Sequence, residues 1–234
     1  MFVPLYDDNP YDPLFYPYVT RLLVATNVIV FVFFQLPLIA NDAVSTVLSF
    51  AVVPAALFVQ GSPPLVPVPV ELTFITYMFL HGGWMHLIGN MLFLWVFGDN
   101  VEHAMGRLRF LIFYLACGVA GGFAHFLSAP ESTAPLIGAS AAIAGVVAAY
   151  LMLFPHAKVW VLLLMRIPVK LAAKWVLGAW VVFQFVNLFF TTDVETAWWA
   201  HIGGLVTGAI LVVFLRRPDV PLFATNVRTI TDVR

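Results

Sequence analysis

A polytopic, all-α membrane protein with six crossings is the fold class this sequence predicts, and three observations predict it. Of 234 residues, 62% are hydrophobic and only 10% are charged, against roughly 25% charged in a soluble domain. Mean hydropathy is +0.96. The apolar residues gather in runs of bilayer-crossing length, separated by polar or Pro-rich segments. A net charge of −1 without a basic run argues against nucleic acid as a partner. A single cysteine, Cys117, excludes a disulfide framework or a thiolate metal cluster within one chain.

Residues 1–18 are acidic and rich in Pro and Tyr, with no basic n-region, so no cleavable signal peptide is expected. The first crossing, 22–39, follows Arg21. Residues 44–60 are also apolar, but Pro54 interrupts them, and the Pro-rich stretch 61–69 cannot be helical. Residues 41–80 therefore read as a long, partly embedded loop. The second and third crossings are 83–101 and 110–127. A Ser/Pro/Thr loop at 128–135 leads into the fourth, 138–154. Residues 159–165 are too short to span and lie between Lys158 and Arg166. The fifth crossing is 171–190, and the sixth is 198–215. The organisation is thus an N-terminal segment (1–20), a six-helix membrane domain (21–215) and a solvated tail (216–234). All eleven Lys and Arg residues fall on the side of the termini, which the positive-inside rule makes cytoplasmic.

Polar side chains collect at one depth, near the opposite face. Ser140 lies in the first turn of the fourth crossing, where backbone N–H groups have no partner within the helix. His201 is the fourth residue of the sixth crossing, which enters from the same side. Ala141, Gly145 and Ala149 form a small-residue stripe on one helix, and Ala200, Gly204 and Gly208 form another. Such stripes let two backbones approach closely in lipid. On the second crossing, His86 and Asn90, at i and i+4, share a face in the same leaflet. Each residue has a plain alternative: serine bonding a carbonyl, or histidine and asparagine joining helices. Three helices lowering polar groups to one depth favour a common site or a watery cavity.

The chemistry that such a set supports is acyl transfer. Ser140 would attack a carbonyl, with His201 as general base and then general acid. The Ser140 N–H, the Asn90 amide and His86 would hold the oxyanion. No carboxylate stands three or four residues before His201, so a dyad is expected rather than a triad. His103, His125 and His156 read as bystanders. The outer aromatics Phe183, Phe185, Phe189 and Phe190 suit either a lateral gate or ordinary lipid-facing packing.

Four segments, in this order and spacing, resemble the rhomboid family of intramembrane serine proteases: His81-Gly-Gly-Trp-Met-His86-Leu-Ile-Gly-Asn90, Gly98-Asp-Asn-Val-Glu102, Gly138-Ala-Ser140 and Ala200-His201-Ile-Gly-Gly204-Leu-Val-Thr-Gly208. The resemblance covers about 80–220. It implies a six-helix rhomboid-like bundle, a Ser140–His201 dyad near the outer face, and His86 and Asn90 at the oxyanion site. His81, Gly138, Gly204 and Gly208 would be structural supports. It also implies no metal or other cofactor. The expected partners are the lipid bilayer and, as substrates, transmembrane segments of single-pass proteins, cleaved in or near the membrane. A bacterial-type member would sit in the plasma (inner) membrane with both termini cytoplasmic.

Two departures qualify the match. The family usually has glycine after the serine, where this chain has Ala141, and some members have an aromatic residue where it has Ala144. A methyl at 141 would crowd the acyl group or shift the Ser140 N–H. That is the basis of the alternative reading, a catalytically inactive rhomboid-like protein that binds transmembrane clients. A channel or transporter is a third reading, disfavoured because no Asp, Glu, Lys or Arg lies mid-membrane.

Overall fold

One short helix, α4 (Ser140–Leu153), is buried from Ala141 through Tyr150, and the other helices are arranged around it. The computed structural model describes residues 2–8, 15–41, 43–57, 68–163, 166–190 and 197–223. In chain order the elements are β1 (Phe2–Asp7), α1 (Tyr18–Ala40), α2 (Trp84–Met105), α3 (Arg107–Ser128), α4, β2 (Lys158–Leu163), β3 (Ile167–Ala172), α5 (Ala173–Phe190) and α6 (Trp198–Leu215). By length and composition α1, α3, α5 and α6 can cross a membrane, and α4 is a shorter apolar helix. The protein is therefore a polytopic helical membrane protein, as the hydropathy predicts.

Small residues decide how α4, α6 and α3 pack. A Cβ added to Gly204 would stand 1.9 Å from the Ala141 carbonyl oxygen, and one on Gly208 would stand 2.5 Å from the Gly145 backbone. On α3, a Cβ at Gly121 would meet both the Ala141 methyl and the Ala200 carbonyl oxygen at 2.6 Å. The helices touch backbone to backbone, so dispersion between close surfaces replaces the hydrophobic drive that lipid does not supply. Between α2 and α3 the chain turns at one residue, Gly106, whose φ of 86° is a conformation that L side chains rarely adopt.

Expected loop 41–80 contains short helices at Val44–Leu48, Pro54–Leu57 and Val70–Phe79. Residues 61–67 of its Pro-rich stretch lie outside the described residues. The loop is tied to the chain before α4: Val52 and Leu136 exchange backbone hydrogen bonds, and the Gly138 N–H donates to the Tyr77 carbonyl at 2.9 Å.

One element was not foreseen. The apolar run at 159–165 contributes to β2, the central strand of a three-stranded antiparallel sheet ordered β1-β2-β3. Its alternation is that of a strand, with Val159 and Val161 buried. Its partner β1 lies about 155 residues earlier (Asp7 pairs with Val159), a distance that no local pattern spans.

Two carboxylates at this end of the bundle fasten elements together. Glu102, fully buried on α2, accepts hydrogen bonds from the Val19 N–H (3.0 Å), the Thr20 N–H (2.7 Å) and the Thr20 hydroxyl (2.8 Å). It thus caps the start of α1, where a negative charge meets the positive end of the helix dipole. Asp7 on β1 accepts from the Tyr150 hydroxyl (2.5 Å) and from the Asn100 amide (2.7 Å). Burial outweighs these bonds and, with Asp99 nearby, pushes the Asp7 carboxyl from 3.8 up to about 7.

The fold therefore retains a proton that the unfolded chain has released, so stability falls as pH rises from about 4 to about 7. The slope is at most about 1.4 kcal/mol per pH unit. Asp7→Asn should flatten the unfolding midpoint against pH over that window. An unaltered slope in the variant would assign the effect to another group.

Candidate active site

The loop before α4 brings the polar groups together. Gly138 has a φ of 120°, and a Cβ there would meet His86 Cε1 and Nε2 at 2.7 Å. Glycine therefore lets the chain pass directly beneath the α2 histidine before α4 begins at Ser140. Close contact between α4 and α6 then sets Ser140 Oγ 2.9 Å from His201 Nε2. His201 Nδ1 lies 2.8 Å from Gln184 Oε1 on α5. An amide oxygen can only accept, so Nδ1 carries the ring proton and Nε2 offers its lone pair to the serine hydroxyl.

His86 is oriented in the opposite sense. The Gly82 N–H donates to His86 Nδ1 at 3.3 Å, so in the neutral ring the proton is on Nε2, the atom facing Gly138. Asn90 is buried, and its Nδ2 has no hydrogen-bond partner among the described residues. Leaving such a donor unpaired costs about 1–3 kcal/mol, a cost that a developing oxyanion would offset. Ser140, His201, His86 and Asn90 all line one open cavity of about 820 Å³, together with Trp180, Phe183, Gln184 and Trp198.

His81 lies outside that lining. It is fully buried, its ring edges onto His86 at 5.1 Å, and its backbone N–H donates to Gln35 Oε1 at 3.0 Å. In return Gln35 donates from Nε2 to the His81 carbonyl, which fixes the turn leading into α2. His125, read as a bystander, lines the cavity. His103 is buried at the far end of α2 against Phe15.

Both departures from the family pattern have a local answer. The Ala141 methyl packs against Gly121 of α3 and is not among the cavity-lining residues. Ala144 packs with Ile202 and Leu205 beneath Trp180. Trp180 in turn lies 6.5 Å from the His201 ring, and Trp198 stands edge-on to it at 6.0 Å. The aromatic support absent from α4 comes from α5 and the start of α6. Of the candidate gate residues, Phe183 lines the cavity and packs edge-on against Trp198 at 5.9 Å. Phe185, Phe189 and Phe190 are exposed.

Gln184 and Trp180 are the residues that the sequence reading missed. The available signal was an amide in the outer half of an otherwise apolar crossing, where a polar side chain needs a partner. Asp193 and Glu195, the carboxylates of the loop before α6, lie outside the described residues.

These features define a class: a polytopic helical membrane protein that holds a serine and a histidine in contact at the wall of an open cavity. The chain belongs to the rhomboid family, whose Rhomboid domain profile matches residues 71–218. It is 34% identical over 152 residues to Rhomboid protease GluP of Bacillus subtilis (strain 168), covering 64% of this chain and 27% of that protein. It is 31% identical over 149 residues to Rhomboid protein 1, mitochondrial, of Saccharomyces cerevisiae (strain ATCC 204508 / S288c), covering 60% and 40%. A third relative, Rhomboid-like protein 11, chloroplastic, of Arabidopsis thaliana, is 36% identical over 80 residues, covering 34% and 28%. The matches thus span between about a quarter and two fifths of these relatives' own lengths. The family includes active intramembrane serine proteases and inactive rhomboid-like members.

Proposed function

We propose that this protein is an intramembrane serine endopeptidase that cleaves membrane-anchored proteins in or near their transmembrane segments. The observation that carries the reading is the 2.9 Å contact between Ser140 Oγ and His201 Nε2, open to a cavity. Ser140 attacks the scissile carbonyl as His201 removes its proton, and the imidazolium then protonates the leaving amine. Water enters, His201 removes a proton from it, and the acyl-enzyme is hydrolysed. Through both tetrahedral stages Asn90 Nδ2, His86 Nε2–H and the Ser140 N–H stabilise the oxyanion. Removal of one such donor typically costs about 100- to 1000-fold in rate. The Asn90 amide nitrogen has no hydrogen-bond partner among the described residues, so it is available when the charge develops.

The charge distribution supports cytoplasmic termini, as in a bacterial plasma (inner) membrane, with the serine close to the outer face. Substrates would be single-pass proteins whose helix locally unwinds to present a carbonyl in the cavity. The Ala141 methyl, which motivates the inactive, client-binding alternative, rests in the space left by Gly121.

Fluorophosphonate labelling of the purified protein in detergent tests the reading. The wild type should be modified covalently, and Ser140→Ala should be unmodified. A wild type that resists labelling and leaves transmembrane substrates intact would favour the client-binding alternative.

A further inference from the structure

We infer that Gln184 is a positioning residue that makes the pair a triad: its Oε1 fixes the tautomer of the base from the neighbouring helix α5. The inference rests on His201 being the base. It starts from the setting of Gln184, which is 3% exposed on a helix whose neighbouring Phe183, Phe185 and Val186 are exposed. Two other polar side chains on α5 are disposed differently. Lys174 is in the first turn, against the Trp175 ring, and the Asn187 amide donates to the Phe183 carbonyl of its own helix at 2.8 Å. Gln184 instead reaches across to α6 and meets His201 Nδ1 at 2.8 Å.

An imidazole without an acceptor at Nδ1 can carry its proton on either nitrogen, and only the Nδ1–H form offers Nε2 as a base. Trp180 and Trp198 flank the ring, but neither can accept a hydrogen bond from Nδ1: an indole nitrogen only donates. Gln184 Oε1 supplies the acceptor. As the serine proton arrives on Nε2, the same bond becomes charge-assisted, because Nδ1–H then belongs to an imidazolium. The contribution is therefore larger in the transition state than in the resting protein, which makes it an effect on kcat. It also ties the base to the seating of α5: a helix displaced from α6 takes the acceptor with it.

The plain alternative is that Gln184 only joins α5 to α6. Three variants and two measurements separate the two roles. Gln184→Met keeps the length and removes the acceptor, whereas Gln184→Glu keeps an acceptor oxygen at the same reach. His201→Gln identifies the His201 resonances in spectra of ¹⁵N-histidine-labelled protein. The wild type should show Nδ1 protonated and Nε2 unprotonated, and Gln184→Met should lose that pattern. In Gln184→Met, kcat should fall about 10- to 100-fold with KM little changed, the loss expected for one bond to a charged group. Gln184→Glu should recover most of it.

Wild-type tautomer and kcat in Gln184→Met would overturn the inference, as would equal losses in Gln184→Met and Gln184→Glu. Ser140→Ala, run in parallel, reports separately on the protease reading. If the wild type itself neither labels nor turns over, that reading fails, and the triad falls with it.

Discussion

His201→Ala is expected to lower kcat/KM for a transmembrane substrate by about 10⁴- to 10⁶-fold, and adding Ser140→Ala should lower it no further. The argument is geometric. With Nε2 2.9 Å from Oγ, each partner is of use only through the other: without the imidazole the hydroxyl stays protonated, and without the hydroxyl the imidazole has no nucleophile to activate. Residues that act as one unit give strongly non-additive losses. The residual rate in all three variants should be the same and should reflect the oxyanion donors and substrate binding alone. Turnover in proteoliposomes, with single and double variants side by side, measures this. Additive losses would mean that Ser140 and His201 work independently, and the acyl-transfer mechanism would then be wrong. Folding is checked in the same preparations by thermal unfolding. Truncating His201 leaves Gln184 Oε1 buried without its donor, at a cost of about 1–3 kcal/mol, so the midpoint should fall, and turnover is compared at a temperature below it.

How far the molecule could be read from its sequence follows from the range of the forces involved. Hydropathy is local and period-bound, so the crossing at Trp198–Leu215 was placed to the residue, and α4 to within two at its start. The small-residue stripes on α4 and α6 are also local patterns, and they implied the approach that sets Ser140 beside His201. Contacts between distant segments were not legible. Strand β1 pairs across most of the chain, and Glu102 caps α1, more than eighty residues away, instead of its own helix. Gln184 was missed for a related reason. Its neighbours Phe183, Phe185 and Val186 made α5 look uniformly lipid-facing, and only the rotation of the helix about its axis shows that this amide points inward. Position 141 alone does not reveal that its methyl is accommodated, because the glycine that makes room for it, Gly121, is on another helix.

Gly204→Ala should be among the most damaging single-methyl additions at the described glycines. The added Cβ would stand 1.9 Å from the Ala141 carbonyl oxygen and 2.8 Å from the Ala141 carbonyl carbon. Both are backbone atoms, so no side-chain rotation relieves the clash, and α4 and α6 must separate. Overpacking of this kind costs about 1–3 kcal/mol or more. The separation also acts on chemistry: displacing a reacting pair by about 1 Å can cost about 100-fold in rate. Gly204→Ala is therefore expected both to unfold at lower temperature and to react slowly with fluorophosphonate, although Gly204 does not line the cavity. Gly178→Ala on α5 is the matched control. A Cβ there meets nothing within 4 Å, and alanine in a helix is favoured over glycine by up to about 1 kcal/mol, so this variant should unfold no earlier than the wild type. Wild-type unfolding and labelling in Gly204→Ala would mean that the backbones of α4 and α6 are not in contact, and the account of how Ser140 reaches His201 would have to be abandoned.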